Sequence, residues 1–132
     1  MNGHLEEAYR AYIDALNGRR LDELDQFVHD QVVYNDRPIS RQQYAQMIGE
    51  DVRNIPDLYF TVDLLVTGDD VVACRLWFDC TPERDFAGIA PTGRRVTFAE
   101  HVFYRFREGR IEQVWSLIDT DAVRDQAASD VP

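Results

Sequence analysis

The chain has 132 residues, 45% of them hydrophobic and 11% aromatic, which suits one domain with one packed core and is too apolar for wholesale disorder. Lys and Arg number 14 against 24 Asp and Glu, a formal net charge of -10 that argues against nucleic acid or an anionic membrane as the main partner. No apolar run approaches membrane-spanning length, and the start, MNGHLEEAYRAYIDAL, is acidic and helical rather than a basic head before an apolar stretch, so the expectation is a soluble, cytoplasmic protein without a secretory signal.

From Leu5 the apolar positions Leu5, Ala8, Tyr9, Tyr12, Ile13 and Leu16 recur at three and four, one face of an amphipathic helix that ends at Asn17-Gly18. RLDELDQFVHD predicts a second, short helix, and Val32 to Asp36 a brief strand stopped near Pro38. Ser40 is placed to cap a third helix running to about Val52, with Tyr44, Met47 and Ile48 on its inner face and Pro56 closing it. After Pro56 the period changes to two. LYFTVDLLVTGDDVVACRLWFDC reads as two strands joined at Gly68-Asp69. A loop from Thr81 to Arg95 follows. VTFAEHVFYRF and IEQVWSLID then form a second hairpin around Glu108-Gly109. Helices first and a long antiparallel meander afterwards predict an α+β fold, helices covering one face of a curved sheet. No repeat or linker interrupts residues 1–132, read as one domain with its core at about 5–121 and a polar tail, 122–132, that frays.

The negative signals narrow the chemistry. His4, His29 and His101 have no metal-ligand spacing, so no metal or other cofactor is expected. Cys74 and Cys80 lie six residues apart on one expected strand, roughly 20 Å, too far for a disulfide, and read as packing thiols. No phosphate-binding glycine loop or GxSxG is present.

The last hairpin carries two acids in apolar surroundings. With the turn centred on Glu108-Gly109, Phe106 faces Ile111, Tyr104 faces Gln113, Val102 faces Trp115, Glu100 faces Leu117, and Phe98 faces Asp119. That register gathers Glu100, Asp119, Tyr104 and Trp115 on the face under the helices, and places His101, Phe103, Arg105, Glu112 and Val114 on the other, with Arg105 and Glu112 as a cross-strand ion pair. Burial raises a carboxylate's pKa and a second acid nearby raises one of the two further, as a general acid or base near neutral pH requires. The structural alternatives are Glu100 paired with a buried Arg75, Asp119 capping the segment after the strand, and His101 in a dimer contact.

The segment FAGIAPTGRRVTF…FYRFREGRIEQVWSLID, with PDLYFTVDLLVTGDDVVACRLWF upstream, resembles the SnoaL-like polyketide cyclases of the ketosteroid-isomerase and nuclear-transport-factor-like superfamily, from about Leu5 to Gln126. The resemblance implies a cone-shaped fold in which three N-terminal helices pack on a strongly curved antiparallel sheet and enclose a deep pocket. It also implies cofactor-independent aldol ring closure, with an acid at the end of the last strand as general acid/base; that position matches Asp119. The family's pocket histidine has no secure match, and by spacing Tyr104 takes its place. AYIDALNGRRLDEL is similar to the first helix of ketosteroid isomerases. Their oxyanion-stabilising tyrosine matches Tyr12 and their general-base aspartate Asp36, while their second oxyanion acid falls at or near the apolar Val102.

The leading expectation is therefore a small cyclase- or isomerase-type enzyme on a bulky, apolar, carbonyl-bearing substrate. Asp119 and Glu100 are the catalytic acids. Tyr12, Tyr104 or Asn35 would be the enolate donor, and Trp77, Trp115 and Phe86 the apolar wall, with Asp36 and His101 as further lining. Phe86 or Ile89, on the loop after Thr81, should turn towards ligand. Epoxide hydrolysis or epoxide-opening cyclisation on the same scaffold is the alternative enzyme, and a ligand-binding or dimerisation module the non-catalytic one. A closed cavity packed with side chains favours the module; an open one with Asp119 at its floor favours the enzyme. Phe103 and Val114, assigned to the outer face, predict a homodimer through it.

Overall fold

The apolar stripe at the N-terminus forms α1 (Gly3–Asn17) in a computed structural model that describes residues 3–128. Tyr9, Tyr12, Ile13 and Leu16 are buried along it. Its end is closed by Gly18 N–H on the Asp14 carbonyl and Arg20 N–H on that of Ala15, with the left-handed residue at Arg19 (φ 59°). Asn17 is spent on the chain after α2, where its amide both donates to and accepts from the backbone of Phe60 (3.0 and 2.7 Å).

RLDELDQFVHD does not continue as a full helix. Only Leu21–Gln26 winds, as a short 3-10 helix, because Val28 and His29 are drawn into β1 (Val28–Tyr34), where Val28 pairs with Ile111. A tight turn leads to β2 (Arg37–Ser40), an edge strand and so a place where Pro38 withholds no ladder hydrogen bond from a further neighbour. Ser40 caps α2 (Arg41–Asn54) in a capping box with Gln43. Then come β3 (Thr61–Thr67), β4 (Val71–Cys80), β5 (Val96–Arg107), β6 (Arg110–Ile118) and α3 (Thr120–Ala128). The sheet order is β2-β1-β6-β5-β4-β3. The long strands β3 to β6 are antiparallel, as expected, and among the described strands only β1 and β6 run parallel. The protein is thus α+β, with helices on a curved sheet, and none of the described helices is long and apolar enough to cross a membrane.

The register of the last hairpin differs from the expected one. Phe106 pairs with Ile111, but Arg105 pairs with Gln113, so Glu112 is the extra residue of a β-bulge. From there every partner shifts by one: Tyr104 faces Val114, Val102 faces Ser116, Phe103 faces Trp115, and Glu100 faces Ile118. Burial explains the choice. Without the bulge Gln113 would share the core face with Ile111; with it, Ile111 and Val114 are both buried, at 0% and 1% exposure. Trp115, Leu117 and Asp119 leave the inner face as a consequence, and Val114 joins it. Arg105 pairs with Asp70, and Arg107 takes Glu112.

The expected frayed tail is instead α3 as far as Ala128; residues 129–132 of it lie outside the described residues. Val123 is buried, and Gln126 bonds both the N–H and the carbonyl of Thr97 (2.9 and 2.6 Å). The loop after β4 is pinned to the end of α2, with Glu83 and Arg84 N–H groups on the Asn54 carbonyl and Thr81 N–H on Asp57. Ala87 and Gly88, both with positive φ, turn it so that Phe86 and Ile89 pair.

Candidate active site

Between α1, α2 and the inner sheet face lies a narrow cavity of about 50 Å³. Tyr12, Tyr44 and Tyr104 form its aromatic wall, Tyr34 and Phe60 close the sides, and two carboxylates, Glu100 from β5 and Asp51 from α2, enter it. Strand alternation places Glu100 there: Phe98, Val102 and Tyr104 on the same side of β5 are buried. Helical spacing does the same for Asp51, four residues after Met47 and seven after Tyr44.

The acids are held without a cation. Among the described residues no Arg or His pairs with Glu100; Arg75 lies on the opposite face of the sheet, bonded to Asp63 and His101. The Ser116 hydroxyl donates to Glu100 Oε2 at 2.5 Å. Burial pushes Glu100 up to about 7, opposed by the Ser116 hydrogen bond and reinforced by Asp51. Burial, with Glu50 nearby, pushes Asp51 up to about 6.

The phenols are donors at any physiological pH. Burial holds Tyr12, Tyr44 and Tyr104 well above the ordinary tyrosine value. Tyr12 and Tyr44 hydroxyls share one hydrogen bond at 2.6 Å, which uses one of their two protons and leaves the other for a ligand. Tyr9 donates to Tyr104 at 3.4 Å, so the Tyr104 proton is likewise free to turn inward. A base near neutrality beside fixed neutral donors is an arrangement suited to enolate chemistry.

The structure gathers three of the sequence-derived site residues here, Glu100, Tyr12 and Tyr104. It places the others elsewhere. Asp119 is exposed; its N–H bonds the Ala99 carbonyl, and its Oδ1 accepts from Ala122 N–H (3.1 Å), which makes it the N-cap of α3. It borders a shallow outer hollow with Arg75 and His101. Trp115 is on the outer face under Arg105, and Trp77, 37% exposed, under Arg75. His101 is exposed on that same face, its Nε2 2.8 Å from the Arg75 guanidinium. Phe86 is buried against the Phe98 ring (5.5 Å between centroids) rather than turned into the cavity. Asp36 is an exposed turn residue, and both amide atoms of its neighbour Asn35 are engaged by the Ser116 backbone. Sequence reasoning missed Asp51, Tyr34, Tyr44 and Ser116 as site residues. Asp51 and Tyr44 were within reach, since they share the helix face that carries Ile48; Ser116 was hidden by the bulge.

The family model of SnoaL-like polyketide cyclases matches residues 6–127. A SnoaL-like polyketide cyclase from Agrobacterium tumefaciens is 44% identical, covering 92% of this chain and 96% of that one, with a TM-score of 0.89. IdmH from Streptomyces antibioticus (23% identity, 94% and 98% coverage, TM-score 0.83) and AclR from Streptomyces galilaeus (21%, 100% of both chains, 0.80) share the fold. No curated protein matches the chain. With the model spanning nearly all of the sequence and a solved structure this similar, the chain belongs to the SnoaL-like polyketide cyclase family.

Proposed function

We propose that the protein is a cyclase- or isomerase-type enzyme that removes a proton alpha to a carbonyl on an apolar, polyketide-like substrate, with Glu100 as the base. The observation that supports this reading is the Glu100 carboxyl in an aromatic cavity, without a cationic partner and pushed up to about 7, facing protonated phenols. Tyr12, Tyr44 or Tyr104 steadies the developing enolate, and Asp51, still partly protonated near pH 6, is a second acid in reach of the same cavity. No metal or organic cofactor is needed for these steps. Asp119, the acid that the family resemblance points to, has the role of helix cap in this reading. The active unit is a homodimer, joined through the outer sheet face.

A cavity of about 50 Å³ is the room of one or two waters, at roughly 30 Å³ each in the liquid. It admits the reacting edge of a substrate, and a bulky one requires α2 to swing outward. That narrowness favours a second reading, a non-catalytic binding module. One experiment separates them. Deuteration of β-tetralone alpha to its carbonyl, followed by NMR in D2O, should be accelerated by the protein. Glu100→Gln should lower the rate by about a hundred- to ten-thousand-fold. Tyr104→Phe should lower it less, and Asp119→Asn, which remains a good cap, should leave it near wild type. No acceleration at all, with β-tetralone still perturbing the tyrosine resonances, would favour the module. Loss in Asp119→Asn alone would move the base.

A further inference from the structure

Glu100 owes its orientation to a neighbour that is itself held in place. Ser116 is 7% exposed, and its hydroxyl donates to Glu100 Oε2 at 2.5 Å. Its backbone is bracketed by one side chain. Ser116 N–H donates to Asn35 Oδ1 at 2.8 Å, and Asn35 Nδ2 donates to the Ser116 carbonyl at 3.2 Å. Asn35 follows the last ladder pair of β1 with β6, Tyr34 with Val114, and its own N–H bonds the Val114 carbonyl at 2.9 Å. At this point the chain turns away with φ 47°, and the amide side chain continues the ladder that the backbone abandons. Asparagine suits both demands. It tolerates the left-handed conformation, and its amide offers one donor and one acceptor in the spacing of a peptide group. A serine hydroxyl has three staggered positions, and fixing the backbone fixes where each of them points.

We propose that Asn35 and Ser116 are a positioning pair for Glu100: Asn35 locks the β6 backbone at Ser116, and Ser116 aims the Glu100 carboxyl into the cavity. The proposal gives Asn35 a role acting through another residue, in place of direct contact with an enolate. It rests on Glu100 as the proton-transfer group, but its test reads the carboxyl itself and needs no substrate. The groups facing Glu100 are Tyr12 from α1, Tyr34 from β1, Tyr44 and Asp51 from α2, Cys74 from β4, and Tyr104 from its own strand. Burial raises the tyrosines and Cys74 above their ordinary values, so they stay neutral, and only Asp51 titrates in the same range. An Asp51→Asn background removes that overlap.

The experiment is a carboxyl ¹³C NMR titration of the intact chain labelled at glutamate, with the Glu100 signal assigned by its loss in Glu100→Gln. Ser116→Ala deletes a donor to the charged carboxylate and should move the Glu100 midpoint up by about one pH unit. Ser116→Thr keeps the hydroxyl and should restore it. Asn35→Gly keeps the left-handed backbone while deleting the amide, and should move the midpoint the same way by a smaller amount. Because Asn35 acts through Ser116, adding Asn35→Gly to Ser116→Ala should move it no further. Should Asn35→Gly fail to fold, Asn35→Asp replaces it: the carboxylate accepts from Ser116 N–H but cannot donate to its carbonyl. The same change on Ser116→Ala isolates the effect of the added charge. A Glu100 midpoint unmoved by Ser116→Ala overturns the proposal. So does an Asn35 effect that is absent, or that survives in full without the Ser116 hydroxyl. If these shifts appear while Glu100→Gln keeps deuterating β-tetralone, the pair stands and the assignment of Glu100 as base falls.

Discussion

Glu100 shows what desolvation does to a carboxyl that no cation compensates. Its folded-state value of about 7 lies above the ordinary 4.5, so the folded protein keeps a proton that the unfolded chain has released. The stability this group contributes is present below about pH 4.5 and is lost as the pH rises to 7, because the unfolded state then binds fewer protons than the folded one. Asp51, raised from 3.8 to about 6, acts in the same direction over a lower window. Urea unfolding should therefore show stability falling between about pH 4.5 and 7. Glu100→Gln should be more stable than wild type at pH 8, on the order of 2–3 kcal/mol, and close to it at pH 4.5. A variant with the same pH slope as wild type would show that Glu100 is solvated and unshifted. The rate of α-deuteration should run the other way, rising with pH through a midpoint near 7 as the base ionises, since Glu100 works only as carboxylate.

At the scale of elements, one bulged residue decides which acid meets the cavity. The alternation of VTFAEHVFYRF correctly places Glu100, Val102 and Tyr104 on one face, because period two needs no knowledge of the partner strand. The partner's register did need it. Ile111 and Val114 are spaced by three, which breaks the period and signals the bulge, but a turn-centred count carries straight through it. Asp119 and Trp115 were therefore drawn inward in the sequence reading, and Ser116 was overlooked. Helix ends were legible wherever the cap is local, as at Ser40 with Gln43, and illegible where a strand competes, as at Val28. Ser40→Ala should lower stability by about 1 kcal/mol in urea unfolding, through loss of the cap alone. A change below about 0.3 kcal/mol would mean that α2 is held by its packing and not by its start. The packing is thin: Tyr44 is its one fully buried side chain among the described residues, and Met47 over the cavity is 37% exposed. Amide exchange in α2 should accordingly be faster than in α1, which buries Tyr9, Tyr12, Ala15 and Leu16, and should slow when a cavity ligand binds. Equal protection of the two helices would leave no moving wall to admit a bulky substrate.

Across the whole molecule, the two faces of the sheet are built to opposite rules. The inner face buries its apolar residues around a few polar groups. The outer face leaves large apolar side chains in water: Leu117 is 79% exposed, Leu64 59%, Val66 57% and Phe103 52%. They lie on β3, β5 and β6, with Trp77 of β4 among them, and a patch of this kind on one side of a chain marks a surface to be covered. A second copy suits it electrostatically. The chain carries a net charge of -10, and like charge on that scale opposes self-association. On this face, however, the charges are matched: Asp63 pairs with Arg75 and Asp70 with Arg105, each at 2.9 Å, and both arginines lie over tryptophans. Two copies meeting here would bring neutral, apolar ground together and keep the surplus acids on the outside. Sedimentation at micromolar concentration should show a homodimer. Phe103→Asp and Leu117→Asp should each give a monomer with unchanged circular dichroism, because both side chains already stand in water and their loss removes no core contact. The dimer should weaken little at high salt, since apolar burial rather than ion pairing holds it. A wild-type chain that sediments as a monomer, or a dimer indifferent to both substitutions, would leave this face to another partner.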